Sequence, residues 1–297
     1  MSATQTQTIS QSSPAATTLK TSTNSPQDPT FIPRGDATAT FVHFGAPDNN
    51  AVPFNYIGPP PPGEPQYNYK LPEHQTVVHD VRGREQDFTL EKNAFATISG
   101  VSSEEKDFSD DEHIKNVYYP EVEKLLLNHV DGAQRIFLFD HTIRRTNPAA
   151  PRAPVLRAHI DQTPYSAQQR VELHMGSEAP ELLQGRYRII NVWRPINGPV
   201  QSHPLAMADT STVEDSDLVP IEHRYPERTG ETAGVKFNPK TKWYYWSGMG
   251  NDERLFLQCF DSQDHHSRVP HTAFVDPRTP EGAVPRESIE VRALVFG

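Results

Sequence analysis

Short apolar runs punctuated by glycine and proline dominate the chain beyond residue 153, and they limit the fold more than any other feature. Such runs are typical of β-strands bounded by turns. They occupy residues 155–163, 186–194, 241–247, 253–261, 271–275 and 286–296. Further predicted elements are a helix at 110–129, a strand at 134–142 and a short helix at 166–173. A few helices followed by many strands predict a β-sandwich or barrel with helices on one face, not an alternating α/β fold.

The first quarter of the chain differs in composition from the rest. Residues 1–33 are mostly Ser, Thr, Gln, Ala and Pro, with too little apolar surface to offset the entropy of ordering, and we predict a disordered tail. Residues 34–75 contain a run of four prolines, Pro59 to Pro62, and this run cannot form a helix or a central strand. We expect them to form an extended segment that packs on the folded body. The body itself is predicted to span residues 76–297.

Charge and cysteine content exclude several classes of protein. The formal net charge is −10 and the arginines are scattered among acids, so the chain lacks the basic stripe of a nucleic-acid surface. Cys259 is the only cysteine, which excludes an internal disulfide, and its apolar neighbours indicate a small buried side chain. No run approaches the roughly 20 apolar residues of a membrane helix, and no signal-peptide core follows Met1. We therefore expect a soluble cytoplasmic protein without nucleic-acid or membrane partners.

Two His-x-Asp triplets, at residues 129–131 and 159–161, are candidates for metal binding. With 13 histidines, roughly one such triplet is expected by chance, so the context decides. His159 and Asp161 lie in a predicted strand, where residues two apart project to the same face and can reach one ion. His129 lies at a predicted helix end, where residues two apart diverge and the imidazole is expected to contact terminal carbonyl groups.

Two histidines and one carboxylate on one face of iron leave positions for a cosubstrate and dioxygen. The third ligand must then be a histidine further along the chain: His174, His203, His223, His265, His266 or His271. His265 and His266 lie in a polar run that predicts a solvent-facing loop. His271 opens a predicted strand and is preferred over the other five. The sequence thus predicts a mononuclear non-haem iron oxygenase with His159, Asp161 and His271 as ligands.

The last predicted strand has a polar face and an apolar face. Arg286, Ser288, Glu290 and Arg292 share the first, whereas the second carries Ile289, Val291, Ala293 and Val295. A barrel strand that lines a ligand pocket would show this pattern, and so would an edge strand with solvated charges. In a pocket, the guanidinium of Arg286 and the hydroxyl of Ser288 would suit the carboxylate of a dicarboxylate such as 2-oxoglutarate.

At these residues the chain resembles the fungal AsaB-like hydroxylase/desaturases, a group of iron(II)/2-oxoglutarate dioxygenases related to the bacterial cephamycin methoxylation protein. The resemblance covers residues 76–297. It rests on a series of phrases in order: Ala-His-Ile-Asp-Gln-Thr at 158–163, Asn-Val-Trp-Arg-Pro-Ile at 191–196, Pro-Leu-Ala-Met-Ala-Asp at 204–209, Trp-Tyr-Tyr at 243–245, Cys-Phe-Asp-Ser at 259–262, Pro-His-Thr-Ala-Phe at 270–274 and Arg-Glu-Ser-Ile-Glu-Val-Arg at 286–292.

The resemblance implies a mainly β fold with flanking helices around a double-stranded β-helix core of the jelly-roll or cupin type. It implies that His159, Asp161 and His271 hold Fe(II), and that Arg286, assisted by Ser288, binds 2-oxoglutarate. The 15 positions from His271 to Arg286 exceed the roughly ten expected for the superfamily, so Arg292 is the fallback.

Asn191 is a further candidate for cofactor binding. It shares one strand face with Trp193, whereas Arg194 lies on the other face. A tryptophan in the core with an amide partner is the alternative interpretation of this pair.

The implied activity is hydroxylation or desaturation of a small secondary metabolite with 2-oxoglutarate and dioxygen. Two other functions stay open at this stage. One is a cupin-like metalloenzyme, an isomerase or a dioxygenase, that does not use 2-oxoglutarate. The other is an inactive relative that acts as a partner protein. The oligomeric state is open too, with a homodimer as one option.

Overall fold

The computed structural model describes residue 28 and residues 30–145 and 153–297. The predicted disordered tail, residues 1–33, lies almost entirely outside the described residues. The strands of the described part are β1 Ala37–Val42, β2 Phe54–Tyr56, β3 Glu73–Asp80, β4 Phe95–Ile98, β5 Arg135–Arg145, β6 His159–Ile160, β7 Tyr187–Pro195, β8 Leu205–Ala208, β9 Leu218–Arg224, β10 Thr229–Val235, β11 Trp243–Tyr245, β12 Arg254–Asp261, β13 His271–Ala273 and β14 Glu287–Phe296.

Within the described residues these strands form two sheets. The larger has the order β1-β3-β11-β8-β13-β6-β10-β9-β2 and the smaller the order β4-β12-β7-β14-β5. Apolar side chains from both sheets, among them Ile160, Ala206, Ile189 and Leu294, pack into one core. Two curled, mostly antiparallel sheets that enclose a common core form a double-stranded β-helix, as the sequence resemblance implied.

The helices are few and short. They are α1 Leu90–Asn93, α2 Asp111–His113, α3 Tyr119–His129, α4 Pro164–Met175 and α5 Ala179–Leu182, together with the π-helical segment Ile114–Tyr118 and the 3₁₀ turns Glu85–Asp87, Gly176–Glu178, Thr210–Thr212 and Asp215–Asp217. Helix α2, the π-helical segment and α3 run on continuously, so the helix predicted at residues 110–129 is confirmed. The short helix predicted at 166–173 is confirmed as well, and α4 begins earlier because Thr163 caps it and Pro164 occupies its first position.

Helix α3 covers the outer face of the smaller sheet. Val122, Leu125 and Leu126 of the helix pack with Val291 and Val295 of β14. Strand β14 lies between β7 and β5, so the edge-strand interpretation of residues 286–296 is wrong. The apolar face of β14 packs against α3, and its polar face points into the space between the two sheets.

The segment at residues 34–75, which we expected to pack on the body, contributes strands to the larger sheet. Strand β1 pairs antiparallel with β3, and β2 pairs parallel with β9. Ala37, Ala39 and Phe41 of β1 are buried in the core. A body boundary at residue 76 falls inside β3, and the first strand of the folded body begins at Ala37.

Strands β8, β9 and β10 were missed at the sequence level. Strand β8 is a run of only four apolar residues, all of them buried and without polar alternation, β9 contains Pro220, and β10 contains Gly230 and Gly234. Gly234 pairs with His159. A Cβ atom at this position would lie 2.7 Å from Ile221 and 2.9 Å from Phe44, so the close packing behind His159 requires glycine.

Cys259 is fully buried, as predicted, and burial raises the pKa of its thiol. The helices of the described residues are all too short or too polar to cross a membrane.

Candidate metal centre

His159 and His271 lie on neighbouring strands of the larger sheet. Strands β6 and β13 are antiparallel, and their register places His271 directly opposite His159. Asp161 follows immediately after β6, two residues beyond His159, so its side chain returns to the same face. The three predicted ligands therefore meet at one point.

The donor atoms of the three side chains form a group of the size that one metal ion requires. One ligand atom from each residue lies within 4.8 Å of the other two. Asp161 Oδ1 is 3.3 Å from His159 Nε2 and 4.0 Å from His271 Nε2. The two imidazole rings are 4.5 Å apart between centroids. Among the described residues, this is the group of three or more His, Cys, Asp and Glu side chains that could hold a metal.

Hydrogen bonds to the backbone fix which nitrogen of each imidazole faces this point. His159 Nδ1 lies 2.8 Å from the carbonyl oxygen of Arg157, and His271 Nδ1 lies 3.1 Å from that of Val269. A carbonyl oxygen only accepts hydrogen bonds, so each Nδ1 carries the proton. Both Nε2 atoms consequently present lone pairs, the form in which histidine binds metals.

The charges of the centre also suit a cation. Burial by itself would raise the pKa of Asp161, but Arg292 and the two histidines outweigh it and hold the pKa well below the usual range. Burial and, next, the proximity of His159 lower the pKa of His271 to about 4. At neutral pH the site therefore offers one carboxylate and a neutral His271 imidazole. Two imidazoles and a carboxylate on one side of a double-stranded β-helix define the class of mononuclear non-haem iron oxygenases.

A small cavity adjoins the centre. His159, Asp161 and His271 line it together with Arg144, Val155, Trp193, Leu205, Ala273, Arg286 and Glu290. Arg286 is 3% exposed, donates to the backbone oxygen of His203, and stacks over Trp193 with its Cζ 5.3 Å from the ring. Burial and, next, Arg144 lower the pKa of Arg286 to about 9, so the guanidinium stays cationic at neutral pH.

The other residues predicted to bind the cosubstrate are placed differently. Arg292 Nε and Asn191 Nδ2 both donate to Asp161 Oδ2, at 3.0 and 2.9 Å. Neither of them is among the residues that line the cavity of Arg286. Ser288 is buried on β14, the strand of Arg292, and does not line that cavity either. Trp193 lines the cavity, whereas Arg194 packs on the opposite side against Phe108 and Tyr118.

Of the histidines that were set aside, His129, His174, His203, His265 and His266 lie away from the three proposed ligands, whereas His223 lines a cavity that reaches Asp161. His129 Nδ1 donates to the Leu125 carbonyl at the end of α3, the helix-end contact expected for it. His265 and His266 are exposed, as predicted for a solvent-facing loop. The backbone oxygen of His203 accepts a hydrogen bond from Arg286, and the ring of His174 stacks on Phe139.

A second, more polar cavity meets the centre at Asp161. Helix α4 and the β9–β10 hairpin enclose it, and Arg170, His223, Tyr225, Arg228 and Glu231 are among its lining residues. Sequence reasoning missed this side of the site. These residues carry no motif, and they come together only because β9 and β10 pair beside β6.

Comparison with known proteins agrees with this class. A family model described as oxidoreductase/YMDC permease-like domain matches residues 42–296. Hydroxylase/desaturase poxK of Penicillium oxalicum is 34% identical, in an alignment that covers 95% of this chain and 98% of that protein. The Fe(II)/2-oxoglutarate-dependent dioxygenase nvfI of Aspergillus novofumigatus is 34% identical over 247 residues, and the match covers 80% of this chain and 88% of that protein.

A solved structure is similar across the whole fold. A variant of the iron and alpha-ketoglutarate-dependent endoperoxidase NvfI superposes with a TM-score of 0.83 and 29% identity, covering 90% of this chain and 99% of that one. The chain belongs to the hydroxylase/desaturase family of iron(II)/2-oxoglutarate-dependent dioxygenases. It is an oxidoreductase of this class, and the relatives support this function over a metalloenzyme that does without 2-oxoglutarate or an inactive partner protein.

Proposed function

We propose that His159, Asp161 and His271 hold Fe(II), that Arg286 binds the distal carboxylate of 2-oxoglutarate, and that the enzyme hydroxylates or desaturates a small secondary metabolite. The observation that carries this proposal is the meeting of the three ligand atoms within 4.8 Å, with both Nε2 lone pairs turned inward. The names of the relatives, hydroxylase/desaturase and dioxygenase, support the reaction class.

When bound, the iron and 2-oxoglutarate supply dioxygen activation and oxidation of a substrate C–H bond. The protein contributes a rigid set of three ligands that occupies one side of the metal and leaves the other side for cosubstrate and dioxygen. His271 and Arg286 are almost fully buried beside the centre, which limits the access of water from that side and so limits side reactions.

Arg286 is the better of the two arginines for 2-oxoglutarate. It faces the cavity beside the metal ligands, and it remains charged there. A guanidinium can bind a carboxylate through two parallel hydrogen bonds, which fixes its orientation. Arg292 Nε already donates a hydrogen bond to Asp161. Assistance by Ser288 stays a prediction, as do the cytoplasmic location and a homodimer.

The assignment of the ligands is tested by iron content and by succinate formation from 2-oxoglutarate. His159→Ala and Asp161→Ala should each lose bound iron and release no succinate. His129→Ala is the matched control, because it removes the histidine of the rival triplet at the end of α3. It should keep both properties. Retention of iron and succinate formation in both ligand variants would contradict the proposed triad.

A further inference from the structure

The two oxygens of Asp161 lie in different surroundings. Oδ1 faces the histidines, 3.3 Å from His159 Nε2. Oδ2 accepts two hydrogen bonds, from Asn191 Nδ2 at 2.9 Å and from Arg292 Nε at 3.0 Å. One oxygen is thus free for a metal while the other is held by two donors.

The two donors come from the opposite sheet. Asn191 lies on β7 and Arg292 on β14, and the register of these strands places the two residues directly opposite each other. Asp161 and the histidines belong to the larger sheet, so the two hydrogen bonds connect the sheets at the metal centre. Because strand pairing fixes both donors, their positions do not depend on a loop.

The guanidinium of Arg292 is locked by further contacts. Its Nη1 donates to Asp140 Oδ1 at 2.9 Å and to Thr142 Oγ1 at 3.2 Å, and its Nη2 donates to Glu290 Oε1. All three nitrogens are therefore engaged. The group cannot rotate without breaking several charge-assisted bonds, and Nε stays directed at Asp161.

Asn191 has a conformation that packing alone does not explain. The residue is fully buried, and its Oδ1 has no hydrogen-bond partner among the described residues. A buried acceptor without a partner costs stability, whereas an apolar side chain of similar shape would not. The bond from Nδ2 to Asp161 gives this amide a reason to be here.

We propose that Asn191 and Arg292 are positioning residues that make Asp161 bind the metal through Oδ1 alone. A carboxylate that turned both oxygens to the metal would occupy one more coordination position, and fewer would remain for 2-oxoglutarate and dioxygen. This proposal rests on the proposed function, namely a metal at the triad. It assigns the pair a role through Asp161, in place of the contact with 2-oxoglutarate that the sequence suggested for them.

Binding of Co(II) alone, followed by calorimetry and visible absorption, tests this role without turnover. The variants are Asn191→Leu, which keeps the number and branching of the side-chain heavy atoms and removes the donor, and Arg292→Lys, which keeps the charge and removes the planar fork. Each should bind Co(II) about 10–100-fold more weakly, the usual effect of losing an outer contact to a metal ligand. The absorption bands should shift as well, because the carboxylate changes its mode of coordination.

Arg194→Lys is the matched control. Arg194 is a buried arginine of the same strand as Asn191, but it packs against Phe108 and Tyr118 on the other face. This variant should bind Co(II) like the wild type. An equal loss of affinity in it would overturn the proposal, because general damage to β7 would then explain the effect. Should Arg292→Lys fail to fold, Asn191→Leu decides the question.

Two failures are distinguishable. If the wild type and Arg194→Lys bind Co(II), and Asn191→Leu binds it with the same affinity and an unchanged spectrum, the positioning role is wrong and the triad stands. If the wild type itself binds no Co(II), the proposed function fails.

Discussion

His159 and His271 face each other across two antiparallel strands, with their ring centroids 4.5 Å apart. The 112 positions that separate them in sequence make this a relationship of the fold, since β6 and β13 become neighbours only in the finished sheet. Each ring is oriented by a backbone carbonyl two residues earlier in the chain. The same local arrangement therefore prepares both imidazoles for a metal.

Replacement of Arg286 by alanine should weaken the binding of 2-oxoglutarate about 10–100-fold, because a buried charge-assisted pair is lost. The affinity for Fe(II) should stay near the wild-type value, since Arg286 is not a ligand. Titration of the iron-loaded protein with 2-oxoglutarate under anaerobic conditions measures the first quantity. Arg188→Lys is the control, because Arg188 is also a buried arginine but lies on β7 and donates to the backbone oxygen of Gly297. An unchanged affinity in Arg286→Ala would assign the carboxylate to another group.

Stability should decrease as the pH falls from about 6.5 to about 4, in part because of His43. This side chain is 1% exposed and lies among Phe237, Trp243 and His74. Burial and, next, His74 lower its pKa from 6.5 to about 4. In that window the unfolded chain takes up a proton that folded His43 does not, so protons favour unfolding.

The measurement for this second prediction is the free energy of unfolding in denaturant at a series of pH values. His43→Leu should show a shallower decrease between pH 6.5 and pH 4 than the wild type. Between pH 7.5 and 8.5 the contribution of His43 is constant, so that range is the internal control. Parallel pH profiles for the two proteins would show that His43 does not couple to folding.

Removal of a buried side chain of α3 should destabilise the fold without affecting the metal centre. Leu126 is fully buried against the outer face of the smaller sheet, so Leu126→Ala should cost about 2–5 kcal/mol. The neighbouring Leu127 is 40% exposed, and Leu127→Ala should change stability by about 0.5 kcal/mol or less. Thermal or denaturant unfolding compares the two. Co(II) affinity below the transition should be the same in both, and a selective loss in Leu126→Ala would place α3 in the site after all.

Much of the site followed from the sequence because its signals are local. Alternation in a strand brings His159 and Asp161 to one face, and the same rule separates the polar and apolar faces of residues 286–296. The position of His271 at the start of a strand, supported by the family phrase around it, predicted the histidine that the fold places beside His159 and Asp161. The helix at 110–129 was predicted from the helical spacing of its apolar residues.

The rest depends on contacts between distant segments. The sequence could show that Asn191 and Arg292 face inward, but only the register of β7 with β14 places both on Asp161 Oδ2. The cavity beside α4 needs β9 and β10, whose proline and glycines hide the strand pattern. Gly234 is needed because Ile221 and Phe44 pack closely against this position opposite His159. Strand propensities of single residues contain no information about such a contact between distant segments.

The central claim, a triad that binds Fe(II) together with 2-oxoglutarate, is tested most directly by anaerobic titration of the purified protein with both. We predict a weak visible charge-transfer band that saturates at one equivalent of iron and requires 2-oxoglutarate, and that His271→Ala abolishes. A wild-type protein without this band, or a His271→Ala variant that retains it, would contradict the account.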